Sequence, residues 1–142
     1  MATRMEHANL HVRHFDEAVR FLTAAFPDFR VRSEETREGG LRWMHIGTDE
    51  TYIALNETRD DAPGHAPYSG SAGVNHLGYE VDDVDALRAR LSAAGFRDST
   101  YPNSHPHRKR VYFYDADGND WEFVQYFTED RALRNDYELP DD

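Results

Sequence analysis

The chain has 142 residues and no cysteine, with 16 basic against 27 acidic side chains and a formal charge of −11. That length suits one domain, or two small packed halves, able to bury roughly 70% of the unfolded surface without covalent staples. The composition excludes disulfides, thiolate metal sites and a cysteine nucleophile, and the charge disfavours nucleic acid and anionic membranes as partners. The opening Met1-Ala-Thr-Arg-Met-Glu has no apolar segment of the signal-peptide kind. No apolar run approaches the ~20 residues of a membrane helix, so a cytoplasmic location is expected.

Residues 6–12 alternate, with Ala8, Leu10 and Val12 against His7, Asn9 and His11, which predicts a strand with one apolar face. Asp16 is placed to cap a following helix that buries Ala18, Val19, Leu22 and Phe26, and Pro27-Asp28 ends it. Strands are predicted over 29–36, 41–47 and 51–57, with turns at Gly39-Gly40 and Thr48-Asp49-Glu50. Residues 58–73, rich in Asp, Pro, Gly, Ser and Ala, read as a linker.

The second half repeats the scheme. A strand over 74–81 sets Leu77, Tyr79 and Val81 against His76, Gly78 and Glu80. Asp82 or Asp83 caps a helix running to Gly95, and strands follow near 96–101, 109–115 and 120–127. Asp115-Ala-Asp-Gly-Asn119 is a tight-turn signal before the last of them. The tail after Thr128 has helical character, with Thr128-Glu-Asp as its cap. The organisation is therefore a βαβββ module over 5–57, the linker, a second module over 74–127 and a tail over 128–142. The fold class is α+β, with paired βαβββ modules whose curved mixed sheets leave a polar cavity.

A histidine opens each copy, His7 in the first and His76 in the second. One supersecondary unit used twice, with a histidine at the matched place, is what a metal site near a pseudo-twofold axis needs. These residues, with Val81-Asp-Asp-Val-Asp-Ala-Leu87 before a helix and Asp115-Ala-Asp-Gly-Asn-Asp-Trp-Glu122 into the last strand, resemble the vicinal oxygen chelate superfamily. That superfamily includes glyoxalase I, extradiol dioxygenases, methylmalonyl-CoA epimerase, fosfomycin-resistance enzymes and bleomycin-binding proteins.

The resemblance implies metal ligands on the first and last strand of each module. Carried over, they are His7, His76 and Glu122, while the fourth position falls on Ala54, which cannot bind a metal. Asn56 shares Ala54's face as a weak carbonyl alternative. Two imidazoles and a carboxylate suit one Fe, Mn, Ni or Zn ion with positions left open for substrate. The competing reading makes the same polar faces the wet side of antiparallel sheets in a metal-free protein that sequesters a small molecule.

The basic island His105-Pro-His-Arg-Lys-Arg110 precedes the predicted strand 109–115. Arg108 and Arg110 share one face there and are candidates to pair with an anionic substrate, whereas His105 and His107 read as parts of a solvated hairpin. Tyr112 and Tyr114 are candidate acid–base residues, and Asn9 and Trp43 candidate substrate contacts. His14 reads as a surface or capping residue, and the roles of His11 and His45 stay open. The expectation is a divalent-metal-dependent enzyme of dioxygenase-like or lyase/transferase type acting on a small oxygenated molecule. A homodimer with shared sites is implied by the resemblance.

Overall fold

In the computed structural model, which describes residues 2–141, the first alternating stretch forms β1 (His7–Val12). Helix α1 (Phe15–Ala25) follows and buries Phe15, Ala18, Phe21, Leu22 and Ala25. Val19, expected on that side, is half-buried, because a 3.6-residue period turns it to the margin of the stripe set by Phe15, Ala18, Leu22 and Ala25. Asp16 is not the cap. It lies in the first turn, with His14 at the N-cap, and accepts from Arg42 Nη1 at 2.7 Å.

Strands β2 (Arg30–Thr36), β3 (Arg42–Gly47) and β4 (Tyr52–Glu57) complete the first sheet, in the order β1-β4-β3-β2. β1 runs parallel to β4 and the other pairs are antiparallel. The face carrying Met44, Ile46, Ile53 and Leu55 is buried with Val12. At its rim Arg42 donates through Nη2 to Glu57 at 3.1 Å and places its guanidinium 4.4 Å from the Phe15 ring centre. One cation thus ties β3, β4 and α1 together, and its bonds hold the Glu57 carboxyl below the usual carboxylate range. Every residue of the edge strand β2 is exposed. Its charged side chains, Arg30, Arg32, Glu34 and Glu35, suit an edge that must not recruit another strand.

The second sheet contains β5 (His76–Glu80), β6 (Arg97–Asp98), β7 (Arg108–Tyr114) and β8 (Asp120–Tyr126), in the order β5-β8-β7-β6. Helix α2 (Val84–Ala93) starts under a side-chain cap, Asp83 accepting from the Ala86 amide at 2.9 Å. It closes at Gly95, whose φ of 87° lets Phe96 donate back to the Leu91 carbonyl at 3.1 Å. Val84, Leu87 and Leu91 are buried with Val111, Phe113, Trp121 and Phe123. The strand expected over 96–101 forms a ladder at Arg97–Asp98, with one further backbone bond from the Ser99 amide to the Tyr112 carbonyl at 2.8 Å. Pro102 has no N–H to offer a ladder, and side chains take over: Thr100 Oγ1 accepts from the Tyr112 amide at 2.9 Å and Asn103 Oδ1 from the Arg110 amide at 3.0 Å.

The tight turn before β8 is organised by Asp115, whose carboxylate accepts from the Asn119 amide at 3.0 Å and from Trp121 Nε1 at 3.1 Å. The tail holds a single turn, α3 (Arg131–Arg134), capped by Asp130. The chain divides into two compact units, one up to Gly64 and one from His65, so the predicted linker is shared between them. Among the described residues no helix is long and apolar enough to cross a membrane.

Candidate active site

In the second unit, residues paired across the ladder lie on one face of the sheet. His76 pairs with Asp120 and Gly78 with Glu122 across β5 and β8. Tyr112 pairs with Glu122 and Tyr114 with Asp120 across β7 and β8. All of these turn away from α2, because the intervening Leu77, Trp121, Phe123, Val111 and Phe113 occupy the helix face. The alternation read in the sequence therefore sorts the polar residues onto one surface.

On that surface His76 Nε2 lies 2.9 Å from Glu122 Oε2. The other ring nitrogen, Nδ1, lies 3.0 Å from the Tyr68 hydroxyl, which donates to Asp120 Oδ2 at 2.6 Å. Ser99 Oγ donates to the remaining oxygen, Oδ1, at 2.8 Å. Burial pushes the Tyr68 hydroxyl up, and the bond to Asp120 adds to it. Tyr112 stands edge-on to His76, with ring centres 5.7 Å apart. Burial raises its hydroxyl too, reinforced by the Tyr101 hydroxyl at 3.0 Å and the Glu122 charge. Both phenols are therefore held as proton carriers, suited to donate rather than to abstract. Tyr114, on the same face, lies under the Arg97 guanidinium at 4.2 Å.

The first unit presents a different surface in the same register. His7 pairs with Tyr52 and Asn9 with Ala54 across β1 and β4, and His45 pairs with Ala54 across β3 and β4. Ala54 thus holds the ladder position that Glu122 holds in the second unit, and its methyl is buried. Around it a row of rings runs across the sheet: His7 stacks on Tyr52 at 4.8 Å, Tyr52 lies 4.5 Å from His45, and His45 lies 4.3 Å from Trp43. Burial pushes the His45 imidazole down, helped by the Arg32 charge. Asn56 donates through Nδ2 to Asn9 Oδ1 at 2.6 Å. His11 is exposed.

Among the described residues no group of three or more His, Asp or Glu side chains is arranged to hold a metal ion. Of the three ligands read from the sequence, His76 and Glu122 meet in the second unit, and His7 stands on the first, its Nδ1 3.0 Å from Glu6 Oε1.

Arg108 and Arg110 do share a face, and both reach Asp141 Oδ2, at 2.8 and 2.9 Å. Burial would raise the Asp141 carboxyl; the two guanidiniums outweigh it and hold it low. Lys109 points the other way, to Asp85 at 2.7 Å. Arg110 Nε is buried without a hydrogen-bond partner among the described residues. An open recess of about 320 Å³ lies beside it, lined by Tyr101, Pro102, Asn103 and Arg110 among others; His76 and Glu122 are not in its lining. His105 is not part of a solvated hairpin, contrary to expectation. It is 4% exposed, accepts from the His107 amide at Nδ1 and places Nε2 3.0 Å from the Asp136 carbonyl. An aromatic ring with two satisfied nitrogens can be buried without penalty, and here it pins the tail.

Sequence reasoning missed Tyr68, Ser99, Asp120 and Asp141. Asp120 was recoverable, since it sits two residues before Glu122 on the same strand face. Tyr68 and Asp141 lie in aperiodic segments, where no pattern marks them.

The chain belongs to the Glyoxalase/Bleomycin resistance protein/Dioxygenase superfamily, whose family model matches residues 4–123. Solved structures share its fold. A glyoxalase family protein from Bacillus cereus has a TM-score of 0.73 at 15% identity, covering 90% of this chain and 97% of its own. The fosfomycin resistance protein FosX from Listeria monocytogenes has a TM-score of 0.71 at 20% identity, covering 92% and 99%. A glyoxalase family protein from Enterococcus faecalis has a TM-score of 0.68 at 19% identity, covering 85% and 96%. A comparison with curated protein sequences finds no match.

Proposed function

We propose that this protein is a divalent-metal-dependent enzyme acting on a small oxygenated molecule, by dioxygenase-like or lyase/transferase chemistry. The observation that carries the reading is the convergence of His76 Nε2 and Glu122 Oε2 within 2.9 Å, beside the buried Tyr112 hydroxyl. An imidazole nitrogen and a carboxylate oxygen aimed at one point fit half of an N/O donor set for a first-row ion. Listeria monocytogenes FosX, which shares the fold, has been solved with Mn(II) and sulfate. When bound, a divalent ion supplies Lewis acidity to paired substrate oxygens. The chain's own residues do the rest: Glu122 and His76 would hold the ion, Tyr112 keeps its proton and offers a hydrogen bond, and Tyr114 lines the same face. In this reading His7 of the second copy of a homodimer completes the ligand set.

The arginine pair supports an anionic substrate. Arg108 and Arg110 already accommodate one carboxylate, that of Asp141, and Arg110 keeps a buried donor unmet among the described residues. Asn9 and Trp43, on the first unit, are the remaining candidate substrate contacts. The absence of cysteine suits a reducing, cytoplasmic setting.

A second reading is a metal-free binding protein, favoured by the ring row from His7 to Trp43 and by Ala54 where a carboxylate ligand would stand. Elemental analysis of protein made without a histidine tag separates the two. The enzyme reading expects near-stoichiometric divalent metal that Glu122→Ala removes; unchanged metal content in that variant refutes it. Mixing His7→Ala with Glu122→Ala chains then asks about shared sites. Regained metal binding in the mixture supports the dimer, and its absence despite proven exchange places the ligands in one chain.

A further inference from the structure

We propose that Tyr68, held by Asp120, is a positioning residue that fixes the tautomer of His76, so that Nε2 faces Glu122 as a bare acceptor. The inference rests on the metal-site reading above and names the device that orients one of its ligands.

The argument is a count of hydrogens. A phenol has one. Tyr68 gives it to Asp120 Oδ2, 2.6 Å away, while Asp120 Oδ1 is engaged by Ser99 Oγ at 2.8 Å. Towards His76 Nδ1, at 3.0 Å, the Tyr68 oxygen therefore has only lone pairs to offer. Nδ1 must carry the ring hydrogen. In a neutral imidazole the other nitrogen then has none, and it lies 2.9 Å from Glu122 Oε2. Two lone pairs at that distance repel unless a proton or a metal ion lies between them. The chain Ser99–Asp120–Tyr68–His76 thus builds a pair of acceptors that requires a positive centre.

Three features mark the arrangement as specified rather than incidental. Asp120 is 5% exposed, so its carboxylate has few solvent alternatives. It pairs with His76 across β5 and β8, which fixes the distance between them by backbone register. Tyr68 is the one non-glycine residue among those described with a positive φ, 61°, a conformation side chains avoid. Its amide is secured there, donating to Asn75 Oδ1 at 2.8 Å. The loop holds an unfavourable backbone geometry at the residue whose hydroxyl reaches the histidine. Metal-bound histidines elsewhere have their second nitrogen tied in the same way, and removing that tie weakens metal binding about 10–100-fold.

The test uses the full chain with ¹⁵N-labelled histidine and Zn²⁺ as a diamagnetic probe, the His76 resonances being assigned by their loss in His76→Gln. In the metal-free wild type, Nδ1–H should be a single, slowly exchanging species, and Zn²⁺ should bind at Nε2. Tyr68→Phe should lower the melting temperature only modestly, since Asp120 keeps the Ser99 bond. It should also speed Nδ1–H exchange, mix the tautomers and weaken Zn²⁺ binding about 10–100-fold. Asp120→Asn, which removes the acceptor of the Tyr68 hydrogen, should act in the same direction. A Tyr68→Phe protein that retains one protected Nδ1–H and wild-type Zn²⁺ affinity overturns the proposal. The metal reading fails separately: if Glu122→Ala leaves Zn²⁺ affinity intact, that reading falls, while the tautomer measurement on metal-free protein still decides the role of Tyr68.

Discussion

The two units share a topology and a register yet carry opposite chemistry on their polar faces. In the first, the ladder position beside the histidine strand is Ala54, and rings from His7 to Trp43 lie against one another across the sheet. In the second, the same position is Glu122, and the neighbours are joined by hydrogen bonds from Ser99 to His76. The difference traces to side-chain size and charge at a few positions. A methyl at 54 leaves room for flat rings to approach; a carboxylate at 122 demands donors or a cation. The scaffold sets where side chains stand, and the residue types decide whether the face stacks or coordinates.

The largest expected break in this comparison is in the cores. Trp121→Ala removes a buried ring and its bond to Asp115 and should cost about 3–5 kcal/mol in denaturant unfolding. Tyr52→Ala, on the half-exposed ring face of the first unit, should cost far less. Equal losses would mean that the stacked row is structural core rather than surface.

The next effect is on metal. Glu122→Ala should lower divalent-metal affinity by about 100-fold or more, whereas Asn56→Ala, on the unit that lacks the carboxylate, should leave it unchanged in the same titration. A matched loss in both would erase the distinction drawn between the units.

Acid sharpens the comparison further. Glu57 in the first unit and Asp141 in the second are both held below the usual carboxylate range by arginine. A depressed folded-state value contributes stability that is present above the unfolded value and lost as pH falls through the folded one. Stability should therefore decline below about pH 4, and Glu57→Gln or Asp141→Asn should each flatten part of that decline in pH-dependent melting. A profile unchanged in both variants would show that these pairs contribute nothing measurable.

The smallest effect is at the helix starts. Asp83→Ala should destabilise by about 1 kcal/mol. His14→Ala, at the matching place in α1, should cost less, since imidazole is not among the favoured caps. Melting temperatures of the two variants make the check, and a larger loss at His14 would reverse the ranking.

Much of the scaffold was legible because it rests on period. Alternation in His7–Val12 and His76–Glu80 located both histidine strands, and matching Ala54 to Glu122 by pattern agrees with the ladder register. The family and the α+β class followed from the repeat. What escaped notice depends on single contacts. The strand before β7 is shorter than its pattern suggests, because Thr100 and Asn103 bond to β7 through their side chains. Asp16 stands where a cap is expected, but Arg42, distant in sequence, claims it. Tyr68 and Asp141 act from segments without periodicity, where only the folded chain reveals a partner.

The parallel pairing of β5 with β8 has a kinetic consequence. β5 is an edge strand whose parallel ladder partner lies at the far end of its own module, with α2, β6 and β7 between His76 and Glu122 along the chain. Loop closure of that length comes late in folding, when local helix and hairpin contacts already exist. An edge held on one side is also where native chains open first. The amides of Leu77 and Tyr79 should therefore exchange with solvent sooner than those of Val111 and Phe123 in the middle of the sheet. A cation bridging His76 and Glu122 would close that difference.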